Sequence, residues 1–391
     1  MREPPAWAVP FSFPLRPVDD GVLATVAGTH AQELAKSLVR TYRAEIAGCG
    51  NGLVEHILEW CDAPASYDTS WDLAFGRAQL ALTSSSFDPG EVAVRIALRL
   101  TETGVEGTWR GAIAPSTLRL GRLILPEIER VQVDWVGGQP DVRVHASNGA
   151  TMTCARRAGT GDWVATGVSS LPSVGVTRSV YLFGPSPLPP ADGGAQCFEG
   201  VDPVEMIDAP MTVALQEAFT VLAEGATEYL RWVERILRGI LVSQREESVR
   251  LVSGSGDSVP GVIHLSYPAG TMDIAEVLIH ECAHQYFYLL ERVGPVDDGS
   301  DRRLYWSPPI RRDRPLSRVL MAYHALANVR LFYNTIRTSG VDGRRYVDLH
   351  EEGIIDSVAQ LDKPLRGNPA LTPIGRALYE PLASRIAALA A

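Results

Sequence analysis

Apolar positions along this chain change their period twice. From Val18 to about Ala47, Leu23, Val26, Leu34, Leu38 and Ile46 recur at roughly helical spacing,. Gly48–Gly52 interrupts this pattern, and two shorter helices follow. One spans Leu53 to Trp60, with Val54, Ile57 and Leu58 inward; the other spans Trp71 to Leu82, behind Ser70 as N-cap,. At Asp88-Pro89-Gly90 the signal becomes strand-like and stays so to about Phe183,. Val92–Leu100, Leu118–Leu125, Val131–Val136, Val142–His145, Thr151–Ala155 and Val176–Leu182 are the predicted strands, with turns at Val136–Pro140 and Ser147–Gly149,. The Pro- and Gly-rich stretch Gly184–Gly194 predicts a linker,.

Beyond it the pattern is helical again. Asp202-Pro203 opens a predicted helix that runs to Ile240 with breaks near Pro210, and Trp232, Ile236 and Ile240 share one face,. A strand is expected at Val259–Tyr267, and a helix from Ile274 to about Arg292 with Asp273 as N-cap,. Further helices are expected at Pro315–Arg337, Tyr346–Leu361 and Thr372–Leu389. The expected fold is α+β. A helical N-terminal segment (1–88) precedes a central antiparallel β region (89–190) and a mostly helical metal-binding domain (195–391) with a zincin-like strand and HExxH helix,. Residues 1–17, with prolines at 4, 5, 10, 14 and 17, read as an extended lead without the apolar core of a signal peptide,.

Composition narrows the classes. A formal net charge of −10 and a pI near 5.4 argue against a nucleic-acid partner, which calls for a basic surface,. No apolar run approaches the length of a membrane span,. The cysteines at 49, 61, 154, 197 and 282 include no CxxC pair and read as reduced thiols of a cytoplasmic protein,.

The chemistry centres on His280-Glu281-Cys282-Ala283-His284. On a helix, His280 and His284 lie one turn apart, so both imidazoles project from one face with Glu281 beside them, as in a divalent-metal site. Cys282 occupies a variable position and reads as a packing residue. The third ligand determines the chemistry. A metzincin pattern would need a ligand where Phe287 or Leu290 stands. The helix after the motif carries no Asp or Glu, and its one good ligand is His324. Glu291, His350, Glu351 and Glu352 are the rivals, and His264 on the approaching strand is another polar group near the pocket. Three neutral imidazoles leave a divalent metal its full charge, which suits either a zinc hydroxide or Fe(II) with an anionic bidentate co-substrate. Between the two ligand-bearing helices lie Arg311, Arg312 and Arg314, a fork able to hold a carboxylate; the alternative is a surface cluster pairing with Asp297, Asp298 and Asp301,.

His280–His284, Tyr305-x-Ser307-Pro308, Arg314-Pro315-Leu316 and the downstream His324 together resemble the HExxH-motif peptide-modification proteins encoded beside ribosomal-peptide precursors and radical peptide maturases. Leu371–Leu378 and Ser70–Gly76 are similar to that family's end and N-terminal half. The resemblance implies an Fe(II)- and 2-oxoglutarate-dependent β-hydroxylase of a precursor peptide, with His280, His284 and His324 on iron. It further implies that Arg314, with Arg311 or Arg312 and with Ser307, lies at the co-substrate, and that a radical maturase is a pathway partner. Glu281 would orient water or substrate. The chain departs from the pattern at Pro309-Ile310, where a Trp-Arg pair is expected. Two other readings stand beside this one. In a zinc metallopeptidase, Glu281 is the general base, with Arg and His264 on the oxyanion. In a non-catalytic peptide-binding partner of a maturase, the metal is structural.

Overall fold

The structure is a computed structural model, and it describes residues 4–14, 20–85, 87–136, 138–157, 161–184, 201–246 and 251–389. The Pro-rich lead is not extended throughout: Ala6–Phe11 form a 3₁₀ turn. Its Phe11, followed by Phe13, is buried in the core of the C-terminal half. Two aromatic side chains removed from water outweigh the intrinsic preference of a Pro-rich segment for solvated, extended backbone.

Six helices follow: α1 (Asp20–Thr41), α2 (Arg43–Cys49), α3 (Leu53–Asp62), α4 (Tyr67–Ser70), α5 (Leu73–Thr83) and α6 (Pro89–Glu102). The N-cap of α5 is Asp72, whose carboxylate accepts from the Ala74 N–H, and not Ser70. Helix α6 replaces the strand expected at Val92–Leu100. Asp88 accepts from the N–H groups of Gly90 and Glu91, and Pro89 sits at the first helical position,. Arg95 reaches back to Glu91, its i−4 neighbour,. The alternation of Val, Ala, Ile and Leu misled; the helical period is carried by the charged residues Glu91, Arg95, Arg99 and Glu102, which recur every three or four positions along one stripe,.

An antiparallel sheet forms. Strands β1 (Trp109–Leu120), β2 (Leu123–Val136), β3 (Gln139–Ala146), β4 (Thr151–Arg156) and β5 (Trp163–Val164) make a meander in that order. The strand expected at Leu118–Leu125 is instead the end of β1, a turn at Gly121-Arg122 and the start of β2, and the one expected at Val176–Leu182 lies in a second sheet. Every second residue points inward, among them Val131, Val133, Val142 and Val144,. They share one core with α2, α3, α5, α6 and the second half of α1, so the N-terminal helices and the antiparallel sheet pack as a single layer pair,.

A second sheet, ordered β6-β7-β8-β10-β9, carries the candidate site. It begins with β6 (Ser173–Val174) and β7 (Val180–Phe183). The linker expected at Gly184–Gly194 lies, beyond its first residue, outside the described residues. Where one broken helix was expected up to Ile240, the chain forms α7 (Ala209–Gly225), α8 (Thr227–Ile236) and β8 (Gly239–Gln244). The run Ile240-Leu241-Val242 is buried on both faces and pairs in parallel with β7 and with β10 (Val262–Tyr267),. Strand β9 (Ser253–Ser255) lies antiparallel to β10 at the edge.

The motif helix α9 (Thr271–Glu291) leaves β10 through a short turn. Asp273 is not its N-cap but lies in its first turn, where its carboxylate accepts from the Gly270 N–H. A small hairpin, β11 (Tyr305–Ser307) and β12 (Arg312–Arg314), precedes α10 (Leu316–Ser339), α11 (Arg344–Leu365) and α12 (Pro373–Ala388). The larger core joins α7–α12, β8 and β10 to Phe11, Phe13 and the start of α1, so the N-terminus belongs to the C-terminal half in packing. Among the described residues no helix is long and apolar enough to cross a membrane.

Candidate metal centre

Helix α9 is buried at Ile279, Cys282, Ala283, Tyr286 and Phe287, which fixes its rotation against the sheet and α10,. Gln285 adds polar registration: it accepts from the Gly261 N–H and donates to the Val262 carbonyl, clamping α9 to the start of β10. With the rotation set, the remaining stripe carries His280 and His284, both half-buried, with their Nε2 atoms 3.2 Å apart. Two nitrogens each about 2.0–2.1 Å from one metal and about 100° apart would be separated by about 3.2 Å, so the pair has the convergence of two ligands. Burial, followed by the nearby His280, His324, Arg314 and Arg318, holds the His284 imidazole well below its ordinary pKa. That keeps it neutral, the form that ligates a metal.

Glu281 is 3% exposed, and its carboxylate is occupied. The Ser253 hydroxyl donates to Oε1 and the Ser255 hydroxyl to Oε2, each at 2.7 Å. The two serines alternate on β9 with Gly254 between them, so both side chains leave the same face of the edge strand,. Cys282 is fully buried with its thiol pKa pushed well up by that burial, as a packing residue.

His324 is placed differently from a third ligand of this pair. It lies fully buried on α10, with its ring against Phe287 and Trp232. Its Nε2 donates to the carbonyls of Phe11 and Ser12 at 3.0 and 2.8 Å. Burial lowers its pKa to about 4, so the ring is neutral. A neutral ring that donates from Nε2 has its only free lone pair on Nδ1; that atom has no hydrogen bond of normal geometry among the described residues, and the Ala283 backbone of α9 lies near the ring. Among the described residues no cluster of three His, Cys, Asp or Glu side chains is positioned to hold a metal.

Most of the rival ligands have partners of their own, one of them an arginine of the site itself. Glu291 lies 4.0 Å from Arg318, and His350 stacks on Tyr346 with ring centroids 4.3 Å apart. Glu351 pairs with Arg337, and Glu352 is exposed. His264 is buried with Nε2 2.7 Å from the Ser243 hydroxyl.

The arginines divide into two groups. Arg314, half-buried at the end of β12, and Arg318, in the first turn of α10, are the cations that act on His284, with Tyr288 beside Arg314. Arg311 and Arg312 are exposed at the hairpin turn. Pairing of this cluster with the acidic loop is not what the structure shows. Asp301 instead takes Arg303, Tyr305 and Asn368, while Asp297 and Asp298 accept from the N–H groups of Gly299 and Ser300. Ser307 is fully buried with no hydrogen-bond partner for its hydroxyl among the described residues.

Three contributors carried no signal in the sequence reading. Ser253 and Ser255 sit in a polar stretch that reads as loop, and Arg318 sits among helix residues. The one available cue for Arg318 was its i+4 spacing from Arg314. No family model matches the chain, and no curated protein matches it.

Proposed function

We propose that the protein is an Fe(II)- and 2-oxoglutarate-dependent oxygenase that hydroxylates Cβ of a residue in a ribosomally made peptide. The observation that carries this reading is the convergence of His280 and His284, whose Nε2 atoms lie 3.2 Å apart on one face of α9; Arg314 and Arg318, on the hairpin and helix that follow, are the nearest candidates for a carboxylate clamp. The histidine pair fits a divalent metal as part of its ligand set. Cations beside such a pair favour an anionic ligand at the positions that the protein leaves open.

In this reading His280 and His284 hold the metal, which when bound supplies the oxygen activation that the side chains cannot. Arg314 and Arg318 neutralise and orient the keto acid's carboxylates. The buried Ser307 hydroxyl supplies a further donor on the same hairpin. Glu281 is a positioning residue: with both oxygens already accepting from serines, it ties α9 to the edge strand. A zinc peptidase would need that same carboxylate to take a proton from water, and two hydroxyl donors leave it less available for that role.

The test is anaerobic addition of Fe(II) and 2-oxoglutarate, followed by air and a precursor peptide. A charge-transfer absorption, succinate release and a gain of one oxygen in the peptide are expected. Zinc-dependent peptide cleavage that vanishes in Glu281→Gln, without succinate, would replace this reading with the peptidase.

A further inference from the structure

We infer that the β11–β12 hairpin is the docking surface for an acidic peptide segment that carries apolar side chains; this rests on the peptide-oxygenase reading and specifies its substrate.

Between residues 301 and 318 the chain holds six arginines and two aspartates, a local charge of +4 in a protein whose net charge is −10. Like charges crowded on one element repel one another unless an anion is brought to them. Arg302, Arg311 and Arg312 are exposed, and none has a carboxylate partner among the described residues. The same element exposes apolar surface that a folded chain ordinarily buries. Leu304 is 62% exposed, Trp306 50% and Ile310 39%. In the hairpin register Trp306 stands opposite Asp313, and both are exposed, whereas Ser307 and Tyr305 on the other face turn inward. Tryptophan and arginine together on an exposed element are the side-chain types that dominate recognition energies. Arg311 is held at φ 51°, a conformation unusual for a residue with a Cβ, which fixes the tight turn that projects it,.

Position connects this surface to the site. Arg314 ends the same hairpin, pairs across it with Tyr305, and is followed by Pro315 and α10, which packs against the motif helix α9. A segment lying along the hairpin therefore follows the chain toward the helix pair that bears the site. Charge complementarity selects acidic side chains, and Trp306 with Ile310 selects apolar ones among them.

The test is fluorescence anisotropy on the full chain without metal or keto acid, so that docking is read separately from oxygenation. The probes are a fluorescein-labelled peptide of alternating glutamate and phenylalanine, its lysine counterpart, and phosphatidylserine vesicles. The acidic peptide should bind at least about tenfold more tightly than the basic one, and weaken steeply with added salt. The triple variant Arg302→Glu, Arg311→Glu, Arg312→Glu should lose about tenfold or more, and Trp306→Ser should weaken binding at an unchanged melting temperature. These four residues are exposed, so folding is not expected to suffer. Equal binding of both peptides, full binding by the two variants, or binding of vesicles without the peptide would overturn the proposal. A failure of oxygenase activity with selective acidic-peptide binding intact would overturn the catalytic reading alone.

Discussion

His324 on α10 donates from Nε2 to the carbonyl of Ser12 at 2.8 Å, joining residues 312 positions apart. Asn328, one turn further along the same helix, donates to that same carbonyl at 2.9 Å. The Ser12 hydroxyl in turn donates to the Leu378 carbonyl. A Pro-rich segment is thus fastened into the core by two side chains of α10 and by a backbone carbonyl of α12. A buried carbonyl without a donor is costly, so the histidine has a structural duty independent of any metal.

That duty separates from ligation by experiment. His324→Ala is expected to cost about 2–4 kcal/mol, through unsatisfied carbonyls and a cavity, and to expose the segment around Phe11 to limited proteolysis. His324→Gln retains a donor and should recover part of the loss. Metal content of His324→Gln, compared with His280→Gln, then assigns the role: near-full loading marks an anchor, whereas loading as low as in His280→Gln marks a ligand.

The Glu281 clamp makes its own prediction. Removing the Ser253 or Ser255 hydroxyl leaves one oxygen of a buried carboxylate without its donor, and each alanine variant should lose about 1–3 kcal/mol in urea unfolding. Because both serines serve one group, the double variant should not be additive. Adding Glu281→Gln to the double variant should restore stability in part, since a neutral amide is cheaper to bury than an unpaired charge.

Arg314 and Arg318 should behave differently from Arg311. A charge-assisted hydrogen bond contributes about 1.5–3 kcal/mol, so Arg314→Ala or Arg318→Ala is expected to weaken 2-oxoglutarate binding about ten- to hundredfold. Arg311→Ala, exposed at the turn, should leave that affinity within about twofold. Isothermal titration with Fe(II) present distinguishes them.

Acid sensitivity should arise from the other half of the molecule. His56 is 3% exposed, stacks on Trp109 and has no hydrogen bond at either ring nitrogen among the described residues. Burial lowers its pKa to about 4. In the unfolded chain a histidine titrates near 6.5, so between about pH 6.5 and 4 the unfolded state holds the extra proton. Stability is therefore fully present above about pH 6.5 and falls as pH drops toward 4, by up to about 3 kcal/mol. His56→Leu should flatten that part of the pH profile, as read from urea midpoints across the range. An unchanged slope would assign the acid loss to His30, His264 or His324, whose pKa values are also lowered to about 4, or to His284.

What the sequence determined by itself was local. The spacing of His280 and His284 sets both imidazoles on one face wherever that segment is helical, because 3.6 residues make a turn. The antiparallel sheet was legible in part: β3 and the second half of β2 show one apolar and one polar face, whereas the run Leu118–Leu125 conceals the turn between β1 and β2,. Legibility failed where elements are buried on all sides. Strand β8 shows an apolar run with no usable period, and only its neighbours decide what it becomes, whereas α6 carries a helical stripe at Glu91, Arg95, Arg99 and Glu102 that its β-branched residues obscure,. The surroundings of the site were decided by tertiary structure. Nothing local ties Ser253 and Ser255 to Glu281, or Phe11 and Ser12 to His324. Those contacts exist because an edge strand and an N-terminal segment are brought against helices whose rotation the core has already fixed.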